Sequence, residues 1–206
     1  HEIRNPLSAI RQSNGLLAEE HDDPVAAKLH GIIENNIARI DKMLEEVSSL
    51  NKSDRLKPQV INLMGFWLDF KHEFLLTRPE VKYCIRFYMT GGQLKTRFDS
   101  AHLQQILWNL LNNAWQHGSQ GKDSITVLVK PVVGHEAISL TVIDDGSGVS
   151  AENQEHLFEP FFTTRTEGTG LGLYVARELA HANLGQLHYH PNVKGFELIL
   201  PKESNE

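Results

Sequence analysis

The sequence predicts an α+β protein, in which a helical hairpin precedes an α/β sandwich with one sheet and helices on one face. Two observations support this prediction. Residues 1 to about 52 place apolar residues at helical spacing and show no strand pattern, whereas residues from about 60 onward alternate strand-like and helix-like stretches. A polar stretch that ends in Pro58 separates the two regions, so we expect a linker over residues 53–60.

The hairpin prediction rests on a turn signal and a long apolar stripe. Asp23 is suited to cap a helix, and Pro24 is suited to its first position. The stripe that follows comprises Leu29, Ile33, Ile37, Ile40, Leu44, Val47 and Leu50. Two helices alone cannot bury such a stripe. We therefore expect a second copy that completes a dimeric four-helix bundle, with packing on the rest of the same chain as the alternative.

The second region is predicted to contain three helices and six strands. We expect helices over about 62–77, 100–117 and 171–183, the second of them capped by Asp99. The predicted antiparallel strands cover about 81–88, 94–98, 124–133, 136–143, 186–190 and 195–200. A long glycine-containing loop is expected over 145–169.

The composition excludes several classes of protein. The 206 residues carry a net charge of −6, which does not fit a general nucleic-acid binder. The single cysteine, Cys84, cannot form an internal disulfide. No apolar run reaches the length of a membrane span, and we expect this segment to lie in the cytoplasm.

Two glycine-rich segments suggest a nucleotide site. Asp144 ends a predicted strand, and its carboxylate is suited to accept a hydrogen bond from an amino group such as that of adenine. Gly146 and Gly148 then let the backbone pass close to a flat ring, although a plain turn explains the pattern equally well. The second segment, 168–172, opens a helix whose free N–H groups suit phosphate oxygens, with a tightly packed capped helix as the alternative.

The loop between these segments contains three phenylalanines followed by a cation. Phe158, Phe161 and Phe162 are costly to expose, so we expect them to anchor a movable segment to the core. Arg165 follows them and would add positive charge near the phosphates.

The helix over 100–117 carries asparagines that suit a metal ion. Asn109 and Asn113 are four residues apart and share a face, and amide oxygens are hard ligands of the kind that Mg²⁺ prefers. Asn112 also lies within one turn of Asn109, so the spacing does not select between Asn112 and Asn113. Surface asparagines are the alternative interpretation.

The first residues of the chain suggest a nucleophile. A neutral imidazole at His1 is able to attack phosphorus, and the neighbouring Glu2 carboxylate would accept the ring proton. Asn5 lies one helical turn later on the face of His1, and Pro6 would loosen the helix there.

The order of these motifs resembles the sensor histidine kinases over nearly the whole chain. The matching segments are His1-Glu2-x-x-Asn5-Pro6, Asn109-x-x-x-Asn113, Asp144-x-Gly146-x-Gly148, Phe158 to Phe162, and Gly168-x-Gly170-x-Gly172. The resemblance implies a dimerising phosphoacceptor hairpin over 1–52 and, over 61–206, an ATP-binding catalytic domain of the type shared with gyrase and MutL. The residues over 158–178 are similar to those of the branch of this family that regulates nitrogen response and type IV pili.

The resemblance also implies roles for particular residues. His1 would accept the phosphoryl group, Glu2 would act as its base, and Asn5 would take part in dephosphorylating the partner. Asn109 and Asn113 would hold Mg²⁺. ATP would be bound by Asn109, Asn113, Gln116, His117, Asp144, Gly146, Gly148, Phe158, Thr164, Arg165, Gly168, Thr169, Gly170, Leu171 and Gly172.

The resemblance implies a two-component kinase with defined partners. These are a second copy of the chain and the receiver domain of a response regulator, whose aspartate would take the phosphoryl group from His1. Phosphatase activity toward that regulator is also implied, no nucleic acid is involved, and the parent protein would be anchored in the inner membrane by a preceding sensor region.

Two rival functions share part of the pattern. An ATP-driven conformational machine of the gyrase type needs the nucleotide segments but not the hairpin. A binding module that docks a regulator and mainly removes its phosphate is favoured by Gln116-His117, where the family often has Lys-Tyr and thus one more cation.

Overall fold

A computed structural model describes residues 4–20, 23–51, 56–165 and 168–203. The hairpin consists of α1 (Arg4–Glu20) and α2 (Pro24–Asn51). Asp23 and Pro24 take their predicted places, because the Val25 N–H donates to Asp23 Oδ1 at 3.2 Å and α2 begins at Pro24. Arg11 on α1 joins the helices through ion pairs to Glu34 at 2.9 Å and Asp41 at 3.0 Å.

The apolar stripe of the hairpin remains largely uncovered in the single chain. Leu7 and Ile37 are buried, with 6% and 3% of their surface exposed. By contrast, Leu29 is 56% exposed, Ile33 37% and Ile40 39%. In the described part of the chain, none of the helices is both long enough and apolar enough to cross a bilayer.

The second region begins with a strand and then combines helices with the strands of two sheets. In chain order it contains β1 (Pro58–Asn62), α3 (Leu63–Thr77), β2 (Ile85–Met89), β3 (Lys95–Asp99), α4 (Ser100–His117), β4 (Ile125–Pro131), β5 (Ala137–Asp144), α5 (Ala151–Gln154), α6 (Gly172–Ala182), β6 (Gln186–His190) and β7 (Gly195–Pro201). A single 3₁₀ turn, Pro79–Val81, follows α3.

The main sheet has the order β2-β4-β5-β7-β6 and two unlike faces. On the inner face, paired residues such as Leu140 and Leu198 are buried, and α4 and α6 pack against this sheet. On the outer face, Glu197 accepts a hydrogen bond from Ser139 Oγ and lies 2.6 Å from His190 Nε2. The apolar inner face and polar outer face give the one-sided sandwich that the sequence predicts.

Three features differ from the predicted elements. β1 begins inside the predicted linker, taking its residues 58–60, and pairs with β3 in a separate two-stranded antiparallel sheet. The strand expected over 81–88 begins only at Ile85, because Val81 N–H and Cys84 N–H close turns instead. β2 and β4 pair in parallel rather than antiparallel, since β3 and α4 carry the chain back between them.

The start of α4 is fixed by one carboxylate. Asp99 Oδ1 accepts the N–H groups of Ala101 at 2.9 Å and His102 at 3.2 Å, which confirms the predicted cap. Its Oδ2 accepts the N–H of Lys57 at 2.9 Å. Burial alone would raise the pKa of Asp99, but these hydrogen bonds lower it overall.

Candidate functional site

A cavity of about 720 Å³ lies between α4, the loop before α6 and the hairpin helix α2. Most of the residues predicted for a nucleotide site line it, and they come from three separate stretches of the chain. These are Asn109, Asn113, Gln116, His117, Asp144, Gly148, Thr164, Arg165, Gly168, Thr169, Gly170 and Gly172. Gly146, Phe158 and Leu171, which the sequence also predicted for the nucleotide site, are not among the residues that line the cavity.

Helix α4 presents a row of carboxamides to the cavity. Its buried face contains leucines and isoleucines at helical spacing, including Leu103, Leu107 and Leu110. Its cavity face carries Gln105, Asn109, Asn112, Asn113 and Gln116. The two faces follow from the helical period alone, so one helix serves both the core and the site.

Asn109 ties α4 to the start of α6. Its Oδ1 accepts from Gln105 Nε2 at 3.1 Å, and its Nδ2 donates to the carbonyl of Gly172 at 2.9 Å. Both ends of this amide are therefore engaged within the protein. Gln105 was not predicted, although its position one turn before Asn109 on the same face was a usable signal.

The carboxamide face fits a hard cation. Asn112 lines the cavity, and its Oδ1 is a buried acceptor with no hydrogen-bond partner among the described residues. The neighbouring Asn113 also lines the cavity. Neutral amide oxygens beside a phosphate-sized space are suitable ligands for Mg²⁺, which retains waters and is shared with substrate phosphates. Asn112, which the spacing did not exclude, is therefore a candidate ligand alongside Asn113.

Asp144 and Asp145 are adjacent but have different environments. Asp144 ends β5, lines the cavity and accepts the Gly146 N–H at 2.9 Å, and its burial raises the pKa of its carboxyl group. Asp145 instead holds the turn after α4, accepting from Ser119 N at 2.8 Å and Ser119 Oγ at 2.6 Å. The Ser119 hydrogen bonds lower the pKa of Asp145. Of these two carboxylates, Asp144 is the one that lines the cavity and could accept a hydrogen bond from a ligand.

Gly146 permits the close packing of this turn. A Cβ at this position would lie 2.3 Å from the carbonyl oxygen of His117, so any other residue would push β5 away from α4. Lys194 Nζ also donates to the carbonyl of Gly146 at 3.2 Å and lines the same end of the cavity.

Positive charge reaches the cavity from several elements. Arg165 Nη1 donates to the carbonyl of Gln116 at 2.9 Å, which places a guanidinium at the end of α4. His117 adds little charge at neutral pH, because burial and the nearby Arg165 lower its pKa, with Asp144 opposing them. Lys42 and Arg78 also line the cavity.

The glycine loop before α6 leaves the helix start open to the cavity. Gly170 has a φ of +71°, and a Cβ there would lie 2.3 Å from the backbone carbon of Phe161. In the described chain no side chain caps α6, whose first residue is Gly172. Uncapped N–H groups at the positive end of a helix are suited to bind an anion.

The three phenylalanines of the loop do not all anchor it as predicted. Phe158 packs edge-on against Phe196 with ring centroids 6.2 Å apart, and Phe162 is half-buried beside the cavity. Phe161 is 63% exposed, because its φ of 67° brings its backbone rather than its ring against Gly170.

The hairpin also contributes residues to the cavity lining, and the sequence analysis did not predict them. Lys42, Glu45 and Glu46 of α2 line the cavity. Glu46 is buried, and this burial raises the pKa of its carboxyl group, with the Thr169 side chain and Lys42 opposing the rise. No local pattern marks these residues, since their role depends on how α2 packs against α6.

The predicted nucleophile cannot be located in the same way. His1 and Glu2 lie outside the described residues, and so does the side chain of Asn5, whose backbone belongs to α1. Their roles therefore remain predictions.

Two family descriptions match the chain. Residues 1–56 match the His Kinase A (phospho-acceptor) domain, and residues 98–204 match the histidine kinase-, DNA gyrase B-, and HSP90-like ATPase. The sensor protein kinase PilS of Pseudomonas aeruginosa is 34% identical over 198 residues, which cover 95% of this chain and 37% of PilS. The chain thus spans well under half the length of this relative.

Solved structures resemble the fold along the chain. Full-length ShkA in complex with AMPPNP matches with a TM-score of 0.70 and 20% identity, covering 100% of this chain and 45% of that one. Histidine kinase ThkA in complex with the response regulator protein TrrA matches with a TM-score of 0.71 and 24% identity, covering 99% of this chain and 59% of that one. At these identities the likeness shows the fold.

Proposed function

Because this chain belongs to the histidine kinases, we propose that it binds ATP in the cavity beside α4 and transfers the γ-phosphoryl group to His1. One observation supports this above all others. The carboxamides of α4, the Asp144 turn and the glycine loop come from distant parts of the sequence, yet they line one cavity of about 720 Å³. That volume lies in the range of small-molecule sites.

The two ends of the cavity suit the two ends of ATP. Asp144 would accept a hydrogen bond from the adenine amino group, with Gly148 beside it in the cavity lining and Gly146 packing the turn against His117. The uncapped start of α6, with Thr169 and Gly170 before it, would receive phosphate oxygens. Arg165 would supply the cation that Gln116 does not, since its guanidinium already lies at the carbonyl of Gln116.

Mg²⁺ would be held by Asn113 together with Asn109 or Asn112, and when bound it would neutralise charge on the phosphates. Both amide ends of Asn109 are engaged, whereas the buried oxygen of Asn112 lacks a partner in the described chain. This difference favours Asn112 as the second ligand.

The proposed transfer is a single displacement at phosphorus. A neutral ring nitrogen of His1 attacks the γ-phosphorus while the bond to the β,γ-bridging oxygen breaks, and ADP leaves with that oxygen. The ring proton passes to the Glu2 carboxylate. Positioning and charge neutralisation supply most of the rate in such transfers, so the hairpin must bring His1 to the cavity.

The proposed partners follow from the exposed hairpin and the family. The uncovered stripe of α2 would pack against a second copy in a four-helix bundle. The phosphoryl group would then pass to an aspartate of a response-regulator receiver domain, and Asn5 would assist its later hydrolysis. We further propose that residues 1–52 form the phosphoacceptor unit and 61–206 the catalytic unit, with β1 added to the latter because it pairs with β3.

The test is incubation of the full-length protein with γ-labelled ATP and Mg²⁺. We expect wild type to acquire label that is acid-labile and base-stable, and His1→Gln to acquire none. Asn113→Ala should slow labelling at least about tenfold by weakening metal binding. Asn192→Ala, which changes an exposed asparagine outside the cavity, is the matched control.

Other outcomes would point to the rival functions. Nucleotide binding with no label on any variant would favour a module that mainly dephosphorylates its regulator. Undiminished ATP hydrolysis in His1→Gln would favour a conformational ATPase.

A further inference from the structure

A cation on α6 lies over the first phenylalanine of the loop that precedes this helix. Phe158 is half-buried and is not among the residues that line the cavity. The guanidinium carbon of Arg177, on the second turn of α6, lies 5.4 Å from the centre of the Phe158 ring. A guanidinium at this distance is attracted by the negative charge on the face of an aromatic ring. One side chain of α6 therefore holds the segment that leads into the loop.

The other contacts of Arg177 identify the rings as its main partners. Its Nε lies 3.5 Å from a carboxylate oxygen of the adjacent Glu178, and the two side chains are 33% and 39% exposed. An ion pair this long and this accessible to water stabilises little. The guanidinium also lies 6.0 Å from the ring of Tyr174, one turn earlier on α6. The two rings, rather than the carboxylate, account for the position of the guanidinium.

Phe158 in turn contacts a group of aromatic rings that belongs to the cavity wall. Its ring packs edge-on against Phe196, whose centroid lies 5.0 Å from that of Tyr189. Tyr189 Oη accepts the N–H of Val149 at 2.9 Å, directly after the turn that ends β5. Phe196, Tyr189 and Val149 all line the cavity. Phe158 thus joins α6 to the wall beside this turn.

The loop beyond Phe158 supplies much of the cavity lining. Residues 162–165 and 168–170 line the cavity, and both stretches lie between Phe158 and the start of α6. Because Phe158 is held at one end and α6 at the other, the position of Phe158 sets where this lining begins. The contact with Arg177 is therefore able to affect the cavity without being part of it.

We propose that Arg177 is a positioning residue for nucleotide binding, whose guanidinium holds Phe158 and so keeps the loop in the arrangement that lines the cavity. This inference rests on the proposed nucleotide site and adds to it a residue outside the cavity lining. Without the contact, the loop adopts other arrangements as well. The affinity for ATP then falls in proportion to the fraction of molecules that keep the competent one.

The test compares the ATP affinities of full-length variants by titration calorimetry. Arg177→Met keeps the apolar stem and removes the cation, and we expect ATP to bind about 3 to 20 times more weakly, the range expected for a contact between a cation and a ring. Arg177→Lys restores a cation and should bind ATP at least about twofold more tightly than Arg177→Met. Glu178→Gln is the matched control, because it removes the ion-pair partner and keeps Arg177, and it should change affinity less than about twofold.

A double variant distinguishes the contact with Phe158 from a general effect of Arg177. Phe158→Leu keeps an apolar side chain but removes the ring, so adding Arg177→Met to it should cost less than about twofold in further affinity. Fully additive losses would overturn the proposal, because Arg177 would then act through other groups. Equal affinity of Arg177→Met and wild type would overturn it too, as would an equal loss in Glu178→Gln.

Hydrogen exchange tests the position of the loop independently of ATP. Without nucleotide, amides over residues 156–162 should exchange at least about threefold faster in Arg177→Met than in wild type, and at the wild-type rate in Glu178→Gln. Unchanged exchange in Arg177→Met would overturn this inference while leaving the proposed function intact. A wild-type protein that binds no nucleotide would overturn the proposed function, and with it the role of Arg177 in binding.

Discussion

Apolar side chains are used differently in the two regions of this molecule. In the catalytic domain, Phe74, Phe98 and Leu110 are fully buried at the centre of a continuous core. In the hairpin, Leu29 and Ile33 remain 56% and 37% exposed in a stripe of similar composition. The domain covers its core with its own helices and strands. The hairpin instead exposes an apolar face that a second chain would cover. Stability of the first is therefore a property of one chain, and stability of the second should depend on protein concentration.

The largest expected effect is on the core of the domain. Leu110→Ala should lower the free energy of unfolding by about 2–5 kcal/mol, because it leaves a cavity between α4 and the sheet. Urea titration followed by tryptophan fluorescence measures this, since all three tryptophans lie in the domain. Leu68→Ala, at a position that is 59% exposed, is the control and should cost well under 1 kcal/mol. Equal losses would contradict the burial described here.

A charge in the hairpin stripe should act on assembly instead. Ile33→Glu would place a carboxylate in the proposed dimer interface, and we expect the dimer dissociation constant to rise at least about 100-fold, or about 2.7 kcal/mol. Analytical ultracentrifugation gives the constant. Val133→Glu, on a side chain that is 95% exposed in the β4–β5 turn, should leave it unchanged. A dimer unaffected by Ile33→Glu would favour packing of the stripe within one chain.

Substitutions at two glycines with similar backbone conformations should distinguish a cost in stability from a loss of ATP binding. Gly170→Ala should weaken ATP binding at least about tenfold, or 1.4 kcal/mol, because the added Cβ displaces the loop at Phe161. Gly92 has a φ of +76° with nothing within 4 Å of its Cβ position. Gly92→Ala should therefore show the conformational cost, about 1–2 kcal/mol in stability, with normal ATP affinity. Parallel thermal unfolding and nucleotide titration distinguish the two effects.

The smallest effect expected is a pH dependence at Asp144. Burial raises the pKa of this carboxyl group, with Gly146, His117 and Lys194 opposing the rise and Asp145 adding to it. As the pH falls, Asp144 should therefore become neutral at a higher pH than an ordinary aspartate, and adenosine binding should weaken there. Adenosine is used because it has no phosphate groups, so the titration reports on the adenine end of the proposed site.

The same shift has the opposite sign for folding. The raised pKa means that Asp144 favours the folded state when protonated, and that this contribution is lost as the pH rises through its folded-state pKa. Asp144→Asn should remove both dependences. A wild-type adenosine curve that falls only at the pH of a free aspartate would show that the carboxyl group is not desolvated.

Local rules explain what the sequence predicted well. The start of α4 depends on Asp99 and the turn of the hairpin on Asp23 and Pro24, and each acts within three residues of its own position. The cavity face of α4 follows equally from the helical period. The family resemblance, rather than spacing, then linked Asn113, Asp144 and Gly170, which the structure brings to one cavity.

Distant contacts explain what was missed. The pairing of β1 with β3 joins residues about forty positions apart, and nothing in the Pro58–Asn62 sequence distinguishes it from a linker. The parallel arrangement of β2 and β4 depends on the path of the chain between them. The contribution of Glu46 depends on the packing of α2 against α6, which no local pattern encodes.

One hydrogen bond described above ties the segment that enters β1 to the start of α4. Lys57, where the chain enters β1, donates its N–H to the carboxylate that starts α4. A change of chain direction at Lys57 would alter how firmly the first turn of α4 is held, and α4 carries the amides of the cavity. A movement transmitted along the chain to Lys57 would thus reach the helix that lines the cavity through a single carboxylate side chain.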